Sequence, residues 1–326
     1  MRALRTVSLL AGLAILAFLV IRVGTDATLA SVARALGWQF LLICLPSCLV
    51  MAVDTLAWRY CFRDDRVPFH RLVAARAAGE AVNVITAVVP VGGDAVKVWL
   101  LRPHVPYRES VASVIIAKTT ITIAQVLFLL VGVGLAWSLS LDRRLLTGML
   151  WLLLIEVVCV GGLFLVQIAG LVTRSARLFS RVGFLQALTS AEDLDRALQD
   201  FYRRQWRRFA LSVGFHLAGW LLGVIETLLV LRVLGLSASV GAGLVIEALG
   251  SAVRFATFFV PGSVGALEGA NTGAFIALGL GGSAGLAFSL VRRGRQLVWI
   301  AIGLVVLAAT HVRDRLAYAR AHRFPG

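Results

Sequence analysis

Long apolar runs separated by short, arginine-rich polar stretches set the pattern of this chain. The runs are Val7–Val23, Phe40–Phe62, Val111–Ala136, Leu145–Ala169, Phe209–Leu231 and Ser283–His311. A helix of about 20 residues crosses about 30 Å of hydrocarbon, so each run predicts a membrane helix. Two further stretches are apolar but broken. Glu247 to Leu280 reads EALGSAVRFATFFVPGSVGALEGANTGAFIALGL, and Glu80 to Leu101 reads EAVNVITAVVPVGGDAVKVWLL. In each, an apolar half meets a proline (Pro261; Pro90), passes glycines (Gly262 and Gly265; Gly92 and Gly93) and an acid (Glu268; Asp94), and becomes apolar again. Interrupted segments at corresponding places in two halves point to a transporter-type site. Such a break is tolerated at membrane depth where the freed backbone faces protein or a wet cavity.

Basic residues orient the chain. Arginines concentrate before the first run, between Arg59 and Arg76, between Leu171 and Arg208, and after His311. By the positive-inside rule these stretches, and both termini, are expected in the cytoplasm of a bacterial inner-membrane protein. The loops near Asp26, Asp142 and Arg232 then lie outside. The path closes if each broken segment enters and leaves on its own side. The first opens to the cytoplasm and the second to the opposite face, as in an inverted pseudo-repeat. The other solution has each broken segment span once, or Gly281–Gly282 turn a full hairpin. The expected fold is an all-α polytopic membrane bundle forming one integral membrane domain over 1–326. Its first half is 1–170, its cytoplasmic loop 171–208, its second half 209–312 and its cytoplasmic tail 313–326. Part of the loop reads as an amphipathic helix. Val7–Val23 reads as a retained first helix rather than a cleaved signal, although Thr28-Leu29-Ala30 weakly resembles a cleavage site.

Composition agrees. The 326 residues are 59% hydrophobic, with a mean hydropathy of +0.88, which excludes an ordinary soluble domain. A net charge of +15 would suggest nucleic acid in a soluble protein. Here it sits in loops between apolar runs, where it serves topology and contact with anionic lipid, and no nucleic-acid partner is expected. The four cysteines, Cys44, Cys48, Cys61 and Cys159, read as small buried thiols. No metal set and no cofactor motif accompanies them, and no Walker loop, HExxH or GxSxG occurs, so no catalytic residue is assigned and no enzyme activity is expected.

Ionisable groups inside apolar runs carry the candidate chemistry, since they are costly there and face an interior or a wet cavity. Glu247, Ser251 and Arg254 share one helical face, as do Lys118, Thr122 and Gln125. Lys97 follows the Gly92-Gly93-Asp94 turn. Arg292, Arg293 and Arg295 fall within about one turn and need anionic partners, and arginine forks match phosphate. These cations either line a headgroup site or mark a helix end by snorkelling. Asp94 and Glu268 either cap helices or meet a ligand. Gly219 and Gly223 read as a small-residue packing pair beside His216.

Short motifs resemble a known family. They are Thr55-Leu56-Ala57-Trp58-Arg59, the VGGD turn within Glu80–Leu101, His216-Leu217-Ala218-Gly219-Trp220, VPGSVGALEG within Glu247–Gly269, and Leu290–Gln296. They resemble the flippase-like family named for the transmembrane region of lysylphosphatidylglycerol synthase, and within it the hopanoid-biosynthesis-associated membrane proteins. The resemblance implies a helical protein tied to lipid translocation or modification. In the synthase, the membrane part moves the lipid and a separate soluble domain makes it, so aminoacyl transfer is not expected of these residues. The expected partner is a membrane lipid, an anionic phospholipid or a hopanoid. The expected role is flippase-like transport, with a scaffold for a lipid-biosynthetic enzyme as the alternative.

Overall fold

A computed structural model describes Leu10 and residues 13–21, 26–86, 92–171 and 191–321. All regular structure among them is helical. Residues 13–21 form α1. There follow α2 (Asp26–Ala35), α3 (Gln39–Arg59), α4 (Phe69–Thr86), α5 (Gly92–Leu101), α6 (Tyr107–Ser138) and α7 (Arg143–Ile168). The second half holds α8 (Ala191–Arg204), α9 (Trp206–Val233), α10 (Val240–Ala256), a 3-10 turn at Pro261–Ser263, α11 (Ala266–Ala277) and α12 (Gly282–Ala321). Helices α3, α6, α7, α9 and the Gly282–His311 part of α12 are long and apolar enough to cross a membrane. The chain is therefore an all-α, multi-pass membrane protein. Leu41, Leu45 and Leu49 show how α3 turns a leucine stripe outward, where lipid rather than water surrounds it.

Helix ends follow local chemistry. Pro106, which has no N–H to satisfy, precedes α6. The Asp142 side chain accepts from the Arg144 N–H at 2.6 Å and starts α7. Ser239 Oγ accepts from the Ala242 N–H at 3.1 Å and starts α10.

The two broken segments are pairs of shorter helices folded against each other. Helices α4 and α5 approach so closely that a Cβ on Gly93 would lie 1.9 Å from the Gly79 carbonyl oxygen. The Asn83 side chain accepts from the Gly93 N–H at 2.9 Å and ties the pair together. Helix α4 begins at Phe69, well before the expected start at Glu80. The Pro68 carbonyl already accepts from the Arg71 N–H at 2.9 Å, so Arg71 and Arg76 belong to a helix rather than to a loop. Pro90 lies outside the described residues. Helices α10 and α11 form the second pair, joined by a turn with Gly262 (φ +58°), Ser263 (φ +52°) and Gly265 (φ +81°) in the left-handed region. Glycine enters that region at little cost, which is why the break is glycine-rich. This turn packs on α4, so the two broken segments meet.

Two apolar cores flank a polar layer. One contains Ile43, Phe128, Val245, Phe275 and Phe288. The other contains Trp58, Phe62, Leu72, Ile116 and Phe201. Along α3 the first ends at Ile43 and the second begins at Trp58, with Ser47 and Asp54 between them. Along α6 Lys118 and Gln125 lie in the corresponding gap. Helix α8 is amphipathic, and its apolar face, with Leu194, Leu198 and Phe201, is buried on protein. Tyr202 on α8 donates its hydroxyl to Gln167 on α7. The rest of the expected 171–208 loop, and of the Val7–Val23 run, lies partly outside the described residues.

The loop after α3 is pinned by charge. Asp65 meets Arg208 at 2.7 Å and Arg59 at 3.4 Å. The hydrogen bond from Arg208, against some burial and with help from Arg59, holds the Asp65 carboxyl below its ordinary pKa. A depressed folded-state pKa contributes stability above the unfolded pKa, lost as pH falls through the folded one. Asp65→Asn is therefore expected to lower stability by a constant amount at neutral pH and above, with no change of slope there, and to flatten the acid limb of a stability-against-pH curve below the ordinary carboxylate range. Thermal melts across that range read the change.

Candidate functional site

The polar layer is built from two charge clusters. In the first, α12 supplies three arginines, each reaching a carboxylate on a different helix. Arg292 meets Glu247 of α10 at 2.5 Å, Arg293 meets Glu268 of α11 at 2.7 Å, and Arg295 meets Glu226 of α9 at 2.9 Å. Arg292 also approaches Glu226 at 3.5 Å. Arg254 approaches Glu247 at 3.3 Å. Thr227 donates to Glu247 at 2.8 Å, and Ser47 donates to Glu226 at 3.0 Å. Four guanidinium groups thus share three carboxylates, and the surplus falls at Arg254, whose side chain is 38% exposed beside a 2% exposed Glu247.

The second cluster joins the first broken segment to the long helices. Lys97 meets Glu80 at 2.7 Å and Asp94 at 3.1 Å, and Lys118 meets Asp94 at 3.4 Å. Arg76 meets Asp54 at 2.9 Å, and His216 Nδ1 lies 2.8 Å from the other oxygen of Asp54. Here cations and carboxylates balance.

Between the clusters lies a cavity of about 590 Å³. Arg254, Arg292, Arg293, Arg295, Lys118 and Gln125 all line it, as do Glu80 and Glu268. Trp220, Phe255, Phe258 and Trp299 give it apolar walls. Its volume suits an ordered small molecule or a headgroup. Glu247 stands behind the arginines rather than on the wall, and Lys97 lines a smaller side pocket instead. Thr122, expected beside Lys118 and Gln125, turns its hydroxyl onto its own helix, to the Lys118 carbonyl at 2.8 Å.

The turn residues have structural tasks. Glu268 accepts from the Gly265 N–H at 2.7 Å, so it caps the start of α11 and also holds Arg293. Arg293 donates in addition to the Gly262 carbonyl at 2.6 Å and to Gln296 at 2.8 Å, which fixes the strained turn from the far side. Asp94 sits in the first turn of α5 between two lysines, at 3.1 and 3.4 Å. Gly219 and Gly223 make room for side chains as well as helix contact. A Cβ at Gly219 would lie 2.8 Å from Asp54 Oδ1, and one at Gly223 would lie 3.2 Å from Glu247 Oε1.

Several residues of the layer carry no motif that marks their part in it. These are Ser47, Asp54, Arg76, Glu156 and Glu226. Glu156 on α7 is buried and takes a hydrogen bond from Gln125, which also donates to the Ser251 carbonyl at 3.1 Å. For Asp54, Glu156 and Glu226 the available signal was an ionisable residue inside an apolar run; Ser47 is not ionisable, and Arg76 has Glu80 one turn away in sequence, so neither carried that signal.

A family model described as the lysylphosphatidylglycerol synthase TM region matches residues 6–303. No curated protein and no solved structure matches the chain. The matched span takes in both broken segments, both charge clusters and every residue named on the cavity wall. This multi-pass membrane protein therefore belongs to the family of the lysylphosphatidylglycerol synthase transmembrane region, a family tied to membrane lipid.

Proposed function

We propose that the cavity takes the headgroup of an anionic phospholipid and that the protein carries it between leaflets without bond chemistry. The observation behind this is the surplus guanidinium at Arg254, exposed on a cavity wall that both broken segments share. A phosphate there meets a planar fork whose own carboxylate is already held by Arg292. In this reading the two helix pairs are re-entrant from opposite faces, as an inverted pseudo-repeat of an inner-membrane protein with cytoplasmic termini, and rocking of one against the other exposes the site alternately. Helix α5 has 10 residues and α11 has 12, which at about 1.5 Å each falls short of a full crossing and supports the re-entrant path. A hopanoid link is the finer form of the lipid reading.

The second reading is a non-transporting scaffold for a lipid-biosynthetic enzyme. It draws on the pairing of Arg292, Arg293 and Arg295 within the chain, which a sealed interior would also show.

Mass spectrometry of lipid retained through gentle purification separates the readings. Arg254→Gln leaves three arginines on three carboxylates, so the variant is expected to stay folded. It is expected to lose about tenfold or more of the bound anionic phospholipid, the value of one charge-assisted contact. A hopanoid retained equally by both proteins would replace the anionic headgroup with a hopanoid. No retained lipid would favour the scaffold.

A further inference from the structure

His216 lies in the middle of α9, is 1% exposed, and has one side-chain partner among the described residues. That partner, Asp54, is also ion-paired with Arg76. A carboxylate so held only accepts, so His216 Nδ1 carries the hydrogen and donates it across the 2.8 Å contact. The other nitrogen, Nε2, is then a bare lone pair, and it has no hydrogen-bond partner among the described residues.

His216 lines a side pocket of about 40 Å³, with Arg76, Glu80, Asp94, Lys97 and Lys118. A water occupies about 10–15 Å³ by this kind of measure and needs two to four polar partners, so the side pocket has both the room and the lining to hold water. Glu80 and Lys118 also line the large cavity, so the two spaces share a wall.

The charged groups around the imidazole can be named helix by helix. Helix α3 supplies Asp54, α4 supplies Arg76 and Glu80, α5 supplies Asp94 and Lys97, and α6 supplies Lys118. Helix α10 meets α9 through Glu247 at Gly223, which is about 10 Å further along α9. Arg292 and Arg295 of α12 reach α9 at Glu226, further still. The charged residues of α8 adjoin the start of α9, about three turns from His216 in the other direction. The near set is therefore three cations and three carboxylates around one neutral imidazole.

We propose that His216 is a proton-binding site coupled to occupation of the large cavity by an anion. The proton comes from a hydronium ion in water of the side pocket, which is left as water. It forms the Nε2–H bond, and no other bond forms or breaks. The imidazolium stays on Asp54 and raises the balanced set to a net charge of +1. That charge acts across the shared wall and favours a phosphodiester in the cavity, and by reciprocity the anion favours the proton. This rests on the headgroup reading given above and adds an ion to the transported species.

The test uses the full chain in detergent with dihexanoyl phosphatidylglycerol, whose phosphodiester does not itself titrate between pH 6 and 8. Wild type is expected to bind about fivefold or more tightly at pH 6 than at pH 8, at the lower end of typical couplings. Binding near pH 7 is expected to draw up to one proton per chain from weakly buffered solution, read with a pH dye. His216→Gln keeps a donor for Asp54 and loses the titration, so its affinity is expected to be flat with pH. Wild-type binding that is flat with pH and takes up no proton overturns the coupling while leaving the headgroup reading standing. A pH dependence that survives His216→Gln assigns the proton elsewhere and also overturns it. Binding at no pH overturns both readings together. If the variant does not fold, the dye measurement on wild type still decides whether anion binding and proton binding are coupled.

Discussion

Glu247→Ala is expected to destabilise the folded protein by about 3–5 kcal/mol, the cost of leaving buried charge without its partner. The Glu247 carboxylate accepts from Arg292 at 2.5 and 3.2 Å, from Arg254 at 3.3 Å and from Thr227 at 2.8 Å. Without it, the nearest carboxylate to Arg292 is Glu226 at 3.5 Å, which Arg295 already holds at 2.9 Å. Four guanidiniums would then face two carboxylates. Thermal unfolding in detergent, followed by tryptophan fluorescence, reads the loss. The companion Glu247→Met/Arg292→Met removes both charges of the tightest pair and is expected to recover most of it, because an apolar pair of similar volume is often neutral. A single variant that melts within about 1 kcal/mol of wild type would mean that water screens the pair, as it does for exposed ion pairs.

The second large effect belongs to Gly93. A Cβ there would lie 1.9 Å from the Gly79 carbonyl oxygen and 2.5 Å from Asn83 Cγ. The first obstacle is backbone, so no rotamer relieves it. Gly93→Ala is expected to push α5 off α4 at a cost of about 3 kcal/mol, the upper end of ordinary overpacking. The shift would also break the Gly93–Asn83 hydrogen bond and move Lys97 and Asp94 away from Glu80 and Lys118. Gly134→Ala is the matched control. Nothing lies within 4 Å of the added carbon in α6, and alanine is the better helix former by about 1 kcal/mol. The pair should therefore move the melting temperature in opposite directions. Equal effects would show that α4 and α5 are not in contact at Gly79.

The broken segments were legible because each brings a proline and two glycines together within a few residues, unlike the lone Pro46 that α3 accommodates, and Gly262 and Gly265 do hold left-handed backbone at the turn. The Glu247–Arg254 pairing was legible because both residues lie on one helix, where spacing alone sets the face. Partners from different helices were not. Arg295 finds Ser47 across 248 positions, and His216 finds Asp54 across 162. No local spacing encodes such contacts, so the sequence does not tell that carboxylates of the chain meet the three arginines that need anions. Arg76 was read with the loop because it continues a basic stretch, whereas Pro68 starts the helix earlier and Asp54 meets the charge inside it. Gly219 and Gly223 carry the spacing of a helix-packing pair, and that spacing does not say that a carboxylate fills the gap each one leaves.

The ion pairs of α12 have a mechanical consequence. Successive residues of a helix point about 100° apart, so Arg292, Arg293 and Arg295 leave its axis at three different azimuths. Each is fastened to a different neighbour, Glu247 of α10, Glu268 of α11 and Glu226 of α9. A small turn of α12 about its own axis would draw all three guanidiniums off their carboxylates at once. The helix is keyed like a shaft in its bearing. It can tilt with α9, α10 and α11 as one body, but it cannot spin within them. Relative motion in this protein is thereby directed to the seam where α12 lies on α4, where Gly303 packs against Ala77 and Ala81 and no ion pair crosses among the described residues.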